Sequence, residues 1–306
     1  MYSQVLDQID DDHAYLGFKA LQWLAFSTRP LYIEELSELS VITEEHARSI
    51  HPDQRFSDPR HILELLPSSL VTTTDAAGGE IDSIDFTEQR QQVHLAGPVK
   101  EYLLSEQIRA ESAKRYSISE TKTHASIAAD CLAYLLHFNQ PYTMIKEVVR
   151  SSALLRYATN YWASHARLAG ADISEILPLI KEFFTSKTAY TNWTAFLDGF
   201  RPFDDPEHTE GDPLTQSPDP LYYAASFGLL AVARDLLRDG APVDSEGPAG
   251  TALAAASLAG DIDMVRLLID QGANVRSEGP LGQPIRLAAQ NGHLQVVEYL
   301  SMRGAK

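Results

Sequence analysis

The C-terminal end of the chain repeats itself with a fixed period. Gly228, Gly260 and Gly292 stand 32 residues apart, as do Gly240, Gly272 and Gly304, Ala241, Ala273 and Ala305, and Leu236, Leu268 and Leu300. Residues 219–250 and 251–282 are identical at 13 of 32 positions, including SEGPAG (245–250) against SEGPLG (277–282), and 283–306 matches the second copy at 6 of 24. A period of this length means stacked units that bury their apolar faces against one another. Residues 220–306 are therefore predicted to form a short solenoid, with copies at 220–250, 251–282 and 283–306. Each copy reads as two short helices and a turn. In the second, LAAAS (253–257) makes a small-residue helix that can approach its neighbours closely, and Gly260 ends it. MVRLLID (264–270) makes the other helix, with apolar residues at helical spacing, and Gly272 ends that one. In the third copy Pro284 falls in a first helical turn, where its missing N–H costs nothing. VDSEGPAG (243–250), rich in Gly and turn formers, is predicted to protrude from the stack.

This pattern resembles the ankyrin repeat, and Pro284, Ala288, Ala289, Gly292, His293, Val296, Val297, Leu300 and Gly304 carry the resemblance. The first two copies depart from the family's Thr-Pro-Leu-His, since 219–222 reads DPLY and 251–254 reads TALA. The bonds that Thr and His would make are not expected there, and lower local stability is. His293 reads as a structural histidine at a helix start. The last copy lacks a polar capping repeat, which reads as a truncated array or an exposed, frayed end. The resemblance implies a concave face and a row of hairpin tips that bind protein partners without a fixed sequence code. Candidates for that contact are Tyr222 and Tyr223 at the first helix start, with Ser245, Glu246 and Pro248 in the first tip. Ser277, Glu278 and Pro280 in the second tip and Arg286 in the third copy complete the set. Tyr222 is expected to be exposed at the partner face. The Gly and Pro of the tips have a second reading, in which they only make the turn.

Charge divides the chain at the same place. The net charge is -17, but residues 1–220 hold 18 basic and 33 acidic side chains whereas 221–306 hold 7 and 9. So acidic a surface repels phosphate backbones and anionic lipid, and neither nucleic acid nor membrane is expected as a direct partner. The segment RPFDDPEHTEGDPLTQSPDP (201–220) has five prolines, six acidic residues and no apolar periodicity. It reads as an acidic linker over 201–219, either a semi-extended spacer or a long loop packed on its neighbours. The total of 306 residues leaves room for two or three domains.

Ahead of the linker, HAYLGFKALQWLAF (13–26) has the spacing of a buried helix, and IEELSELSVI (33–42) reads as a second. Asp58 and Pro59 open PRHILELL as a third. SLVTTT (69–74) and QQVHLA (91–96) have strand character around a Gly-rich acidic tip, and VKEYLLSEQI (99–108) closes the unit as a helix. That order outlines a winged-helix-like unit over 1–110. Residues 118–136, 151–168 and 173–184 have helical apolar spacing, so 111–200 reads as an α-helical connector. The segments LQWLAFSTRPLYIEELSELSVI, RFSDPRHILELLPSSLV, VHLAGPVKEYLLSEQI and LLRYATNYWASHAR resemble the region downstream of the nucleotide-binding domain in fungal NACHT-ankyrin proteins. Those are NLR-like members of the STAND class of signal-transducing ATPases. The resemblance implies a winged-helix unit, a helical connector and a sensing ankyrin array. The family's NTPase domain is missing, because no G-x-x-x-x-G-K-[ST] occurs, and nucleotide switching does not carry over.

The expected fold is mainly α: a winged-helix-like unit with a small β wing, a helical connector and a short ankyrin-repeat solenoid. A single cysteine, Cys131, excludes an intramolecular disulfide framework and reads as a buried inert thiol. The ten histidines include no pair four apart on a helix and no H-E-x-x-H, so no metal or cofactor is expected. G-x-S-x-G and G-x-G-x-x-G are absent, and the acidic runs Asp10 to Asp12 and Asp204/Asp205 read as solvated surface. A DNA-binding use of the winged helix is disfavoured, because 33–42 carries Glu34, Glu35 and Glu38 and no Lys or Arg. The start MYSQVLDQIDDDH is unlike a signal peptide, and no apolar run approaches the ~20 residues of a membrane span, so an intracellular place, cytoplasmic or nuclear, is expected. The leading expectation is a non-enzymatic interaction or scaffold protein. Two alternatives stand beside it: a transcription coregulator acting through a DNA-binding partner, and a truncated NLR remnant without an autonomous role.

Overall fold

The computed structural model describes residues 2–43, 49–75, 91–141, 148–149, 151–197 and 218–305. Two compact units make up the chain, Met1–Asp212 and Pro213–Lys306. The tip of the expected wing at 76–90 and nearly all of the acidic segment at 201–217 lie outside the described residues. Residues 1–110 and 111–200, expected as a winged-helix-like unit and a connector, both fall within the first compact unit.

In that unit α1 (Tyr2–Leu6) and α2 (Ala14–Phe26) lead to β1 (Leu31–Tyr32) and α3 (Ile33–Ser37). After Ser37 the helix predicted over 33–42 tightens into a 3₁₀ turn, Glu38–Val41, and β2 (Ile42–Thr43) follows, paired with β3 (Ser49–Ile50). Next come α4 (His61–Glu64), β4 (Val71–Asp75) and β5 (Gln91–Leu95). β4 and β5 form an antiparallel pair with Val71 opposite Leu95, and β1 joins the other side of β5 with Leu31 opposite Val93, giving the order β1-β5-β4. The helix predicted over 99–108 is two helices, α5 (Val99–Leu104) and α6 (Glu106–Ala110), because Ser105 leaves helical geometry and its hydroxyl accepts the Ile108 N–H at 3.4 Å. The long α7 (Glu120–His137) then packs against α8 (Leu155–Leu168) and α9 (Ile173–Thr185), and α10 (Lys187–Leu197) ends the described part.

Buried charge fastens α7 to the elements before it. Lys19 and Asp130 are both nearly solvent-free and lie 3.2 Å apart, Lys19 also donates to the Ile42 carbonyl at 3.0 Å, and the Trp23 indole N–H donates to Asp130 at 3.0 Å. Every charged atom of the pair has a partner, which a buried ion pair requires to offset desolvation. Glu38, buried, takes both ends of the Arg55 guanidinium at 2.7 and 2.9 Å and the Tyr134 hydroxyl at 2.6 Å. Glu35 accepts two bonds from Arg29, at 2.6 and 2.8 Å, and closes a capping box on the Tyr32 N–H. Two of the three acidic residues of 33–42, Glu35 and Glu38, are thus internal.

A polar chain crosses the α7 and α8 packing. The Thr28 N–H donates to the Tyr157 hydroxyl at 2.9 Å, which is 2.8 Å from His165 Nε2, and His165 Nδ1 is 2.8 Å from His124 Nδ1. Each imidazole carries a single ring proton in this chain, so that every nitrogen-to-nitrogen and nitrogen-to-oxygen link has one donor and one acceptor. Burial, with His124 beside it, holds His165 down to about 3, and burial pushes Tyr157 up to about 12. Both imidazoles are therefore neutral at pH 7. Cys131 is buried and in no disulfide. Between α8, α9 and α10 the ring of Trp162 meets Phe183, Phe184 and Trp193 edge to face, and Trp193 donates to the Thr159 carbonyl at 3.0 Å.

The second unit is built from three helix pairs. They are α11 (Pro220–Ser226) with α12 (Leu230–Arg238), α13 (Ala252–Ala259) with α14 (Ile262–Asp270), and α15 (Pro284–Gln290) with α16 (Leu294–Met302). A hairpin, β6 (Glu246–Gly247) and β7 (Gly250–Thr251), joins the first pair to the second, and a Gly279–Gly282 bridge occupies the same place after the second. The first helices of the pairs stack on one another through Ala224, Ala225, Ala254, Ala255, Ala256 and Ala288, all buried. Short side chains let helix axes approach closely.

Candidate functional site

Side-chain caps that were not expected in the first two copies are present. Asp219 accepts the Leu221 N–H at 2.9 Å with Pro220 at the first helical position, Thr251 accepts the Ala254 N–H at 3.3 Å, and Asp261 accepts the Met264 N–H at 3.0 Å. The first two copies therefore start their inner helices with Asp and Thr side-chain caps even where they lack Thr-Pro-Leu-His. Gly260 ends α13 in the left-handed conformation at φ 73°. A side chain there would also collide with His293, whose ring lies over it and whose Nε2 donates to the Leu258 carbonyl at 3.0 Å. His293 is a joint between the second and third copies, at the start of α16.

The hairpin tips are locked to one another. The Asn274 N–H donates to Asp244 at 2.9 Å, and the Thr251 and Ser277 hydroxyls are 3.0 Å apart. Gly250 and Gly279 touch backbone to backbone: a Cβ on Gly279 would sit 2.5 Å from the Gly250 Cα. Glycine is required here for close approach of two main chains.

The structure sorts the predicted contact residues into two groups. Glu246, Pro248, Glu278, Pro280 and Arg286 are exposed, and Ser277 is half-buried under its bond to Thr251. Tyr222, Tyr223 and Ser245 are buried, at 4%, 3% and 5% exposure, which corrects the expected display of Tyr222 at the partner face. The Tyr222 hydroxyl accepts the Ala249 N–H at 2.8 Å and its ring covers Gly247, so this side chain props the first tip from beneath. Tyr223 stacks on Phe227 with ring centroids 5.8 Å apart, and the Ser245 hydroxyl donates to the Pro242 carbonyl. Aromatic area and a satisfied hydroxyl make them supports of the tip.

One exposed residue escaped the sequence reading. Leu281, 52% exposed, stands beside Pro280 where the first tip has the buried Ala249. The single difference between SEGPAG and SEGPLG was its signal: a leucine added at a turn position that the sister copy fills with alanine. The crest thus presents two carboxylates, two prolines, a leucine and a guanidinium on a backbone fixed by tip-to-tip bonds. This surface is equipped for recognition by shape and charge. Among the described residues no cluster of His, Cys, Asp and Glu could hold a metal ion, and no helix is long and apolar enough to cross a membrane.

Over 277 residues the chain is 26% identical to the azaphilone pigments biosynthesis cluster protein L of Monascus ruber. The match takes in 85% of this chain and 56% of the relative, so the chain spans a little over half the length of that fungal protein. The family described as ankyrin repeats matches residues 221–306 in three copies, the same stretch in which the 32-residue period, the paired helices and the locked tips occur. The C-terminal unit is an array of ankyrin repeats.

Proposed function

We propose that the chain is a non-enzymatic scaffold whose ankyrin unit binds a protein partner through Glu246, Pro248, Glu278, Pro280, Leu281 and Arg286. The observation that carries this reading is the locking of the two tips at Gly250 and Gly279 beneath exposed side chains. A surface ordered before the partner arrives loses less entropy on binding. Ser277 joins the crest at its edge, and Tyr222, Tyr223 and Ser245 act from below. Capture of partners by the full chain and by a chain ending at residue 217 tests the reading. Partners held only by the full chain are expected, and an identical set on both sinks it. Hydrolysis of ATP by the purified chain would count against the non-enzymatic part.

The name of the fungal relative supports placing the partner among the proteins of a biosynthesis cluster, with this chain in a regulatory or scaffolding role. The lineage we infer is the NACHT-ankyrin one, with residues 1–110 as a winged-helix unit used for packing. The sheet order β1-β5-β4 supports that unit, and the inward pairing of Glu35 with Arg29 and of Glu38 with Arg55 supports packing over DNA contact. This lineage predicts a P-loop NTPase reading frame next to such genes. Loci that consistently lack one contradict it.

A further inference from the structure

Five positions of the helix pairs are covered in the first two copies and open in the third. On the first helix of each pair, Leu221 and Ala225 in one copy and Leu253 and Ser257 in the next are fully buried, as are Ala233 and Val265 on the second helices. Their counterparts 32 residues on are Ala289, which is exposed, and Ile285 and Val297, which are half-buried. Leu294 is 73% exposed where Leu230 and Ile262 are half-buried, and Ser301 is exposed where Leu237 and Ile269 are half-buried. The copies share one fold, so the difference marks the side of a helix pair that the following copy covers. On the third copy these residues form one face, with Ile285 and Ala289 a turn apart on α15 and Leu294, Val297 and Ser301 at helical spacing on α16.

The face suits another of its kind. None of its five side chains is charged, and the short Ala289 lets a second helix approach closely. Charge favours this end of the molecule for self-contact, because residues 221–306 hold 7 basic and 9 acidic side chains whereas 1–220 hold 18 and 33. The exposed large apolar side chains of the unit, among the described residues, are Leu258, Leu281, Leu294 and Met302, and none lies in the first copy. A head-to-tail array therefore finds no open apolar surface to receive it, whereas face-to-face pairing closes at two chains. We propose that the open face of the third copy pairs with the same face of a second copy of this chain about a two-fold axis near Ala289, with Leu294 and Val297 of each packed on α15 of the other. The pairing continues the contact that already joins the copies within the stack. It does not rest on the crest as a partner site, and it sets two crests in one particle, where a partner with two binding segments is held by both.

Sedimentation equilibrium of the full chain tests this. The average mass is expected to rise from one chain towards two, with half of the chains paired at about 50 µM, the strength of a small apolar contact. Ala289→Glu/Leu294→Glu, two exposed positions, should weaken pairing at least tenfold by setting carboxylates against their own copies, with the thermal transitions unmoved. Leu281→Glu, on the crest, should pair as the original chain does. Ala289→Cys should crosslink to itself through a short bis-maleimide, while the original chain, whose one cysteine is the buried Cys131, should not. If the double variant melts early, this crosslink decides. One-chain mass at every concentration, pairing that survives the double substitution, pairing lost in Leu281→Glu, or no crosslink at residue 289 would each overturn the proposal.

Discussion

Acid should loosen the first unit before it touches the repeats. His165 is fully buried, and burial with His124 beside it holds it down to about 3 against the ordinary 6.5. In the unfolded chain the imidazole takes up a proton as pH falls through 6.5, whereas the folded chain refuses it until about pH 3. The unfolded state therefore binds more protons throughout that window, and stability drops with pH. The full contribution is present above pH 6.5. At pH 5.5 the loss from His165 is about 1.4 kcal/mol, growing by about 1.4 kcal/mol for each further pH unit. His124, lowered chiefly by burial, adds in the same direction. Trp23, Trp162 and Trp193 are the three tryptophans of the chain and all lie in the first unit, so tryptophan fluorescence in a urea titration reads that unit alone. With an m-value of about 2 kcal/mol/M, the His165 share should lower the midpoint by about 0.7 M between about pH 7.5 and 5.5. His165→Gln, which cannot titrate, should remove that share. A midpoint that stays put, or a His165→Gln slope equal to that of the original chain, refutes the reasoning.

Other substitutions probe the remaining joints. Lys19→Met removes the ammonium facing the buried Asp130 carboxylate and should cost about 3–5 kcal/mol in the tryptophan-detected transition, with much of it recovered in Lys19→Met/Asp130→Leu. Tyr222→Phe strands the Ala249 N–H and should cost the ankyrin unit about 1–3 kcal/mol, read as a lower melting point by calorimetry with the tryptophan signal unmoved. Gly279→Ala pushes a methyl into the Gly250 backbone and should lower the same transition, whereas Pro280→Ala, exposed on the next position, should leave it within about 0.5 kcal/mol.

The repeat was legible because its physics is periodic: small-residue faces and turn glycines fall at the same place three times. The first unit was legible where an apolar stripe was long, as in α2, α7 and α9. It was obscure where tertiary contacts decided the outcome. β1 is two residues long and exists because β5 offers it an edge, and α10 carries three threonines and is held by Trp193 and Asn192, so neither has a strong local pattern. The burial of Glu35 and Glu38 was obscure for the same reason, because their partners Arg29 and Arg55 stand outside 33–42 and meet them only in the fold. At the crest, composition picked out the tips but could not separate Tyr222, which holds a tip up, from Leu281, which stands on it.

The central claim is that the exposed crest of the ankyrin unit is the partner-binding surface. Its most direct test is the dissociation constant of a captured partner for the full chain and for Glu246→Lys/Glu278→Lys/Arg286→Glu, with both thermal transitions recorded. The account predicts binding weakened at least tenfold while the transitions hold, because these side chains are exposed and the one bond that Glu278 makes across its tip, from Gln283 at 3.3 Å, is itself exposed. Unchanged affinity in a variant that folds as the original does would contradict it.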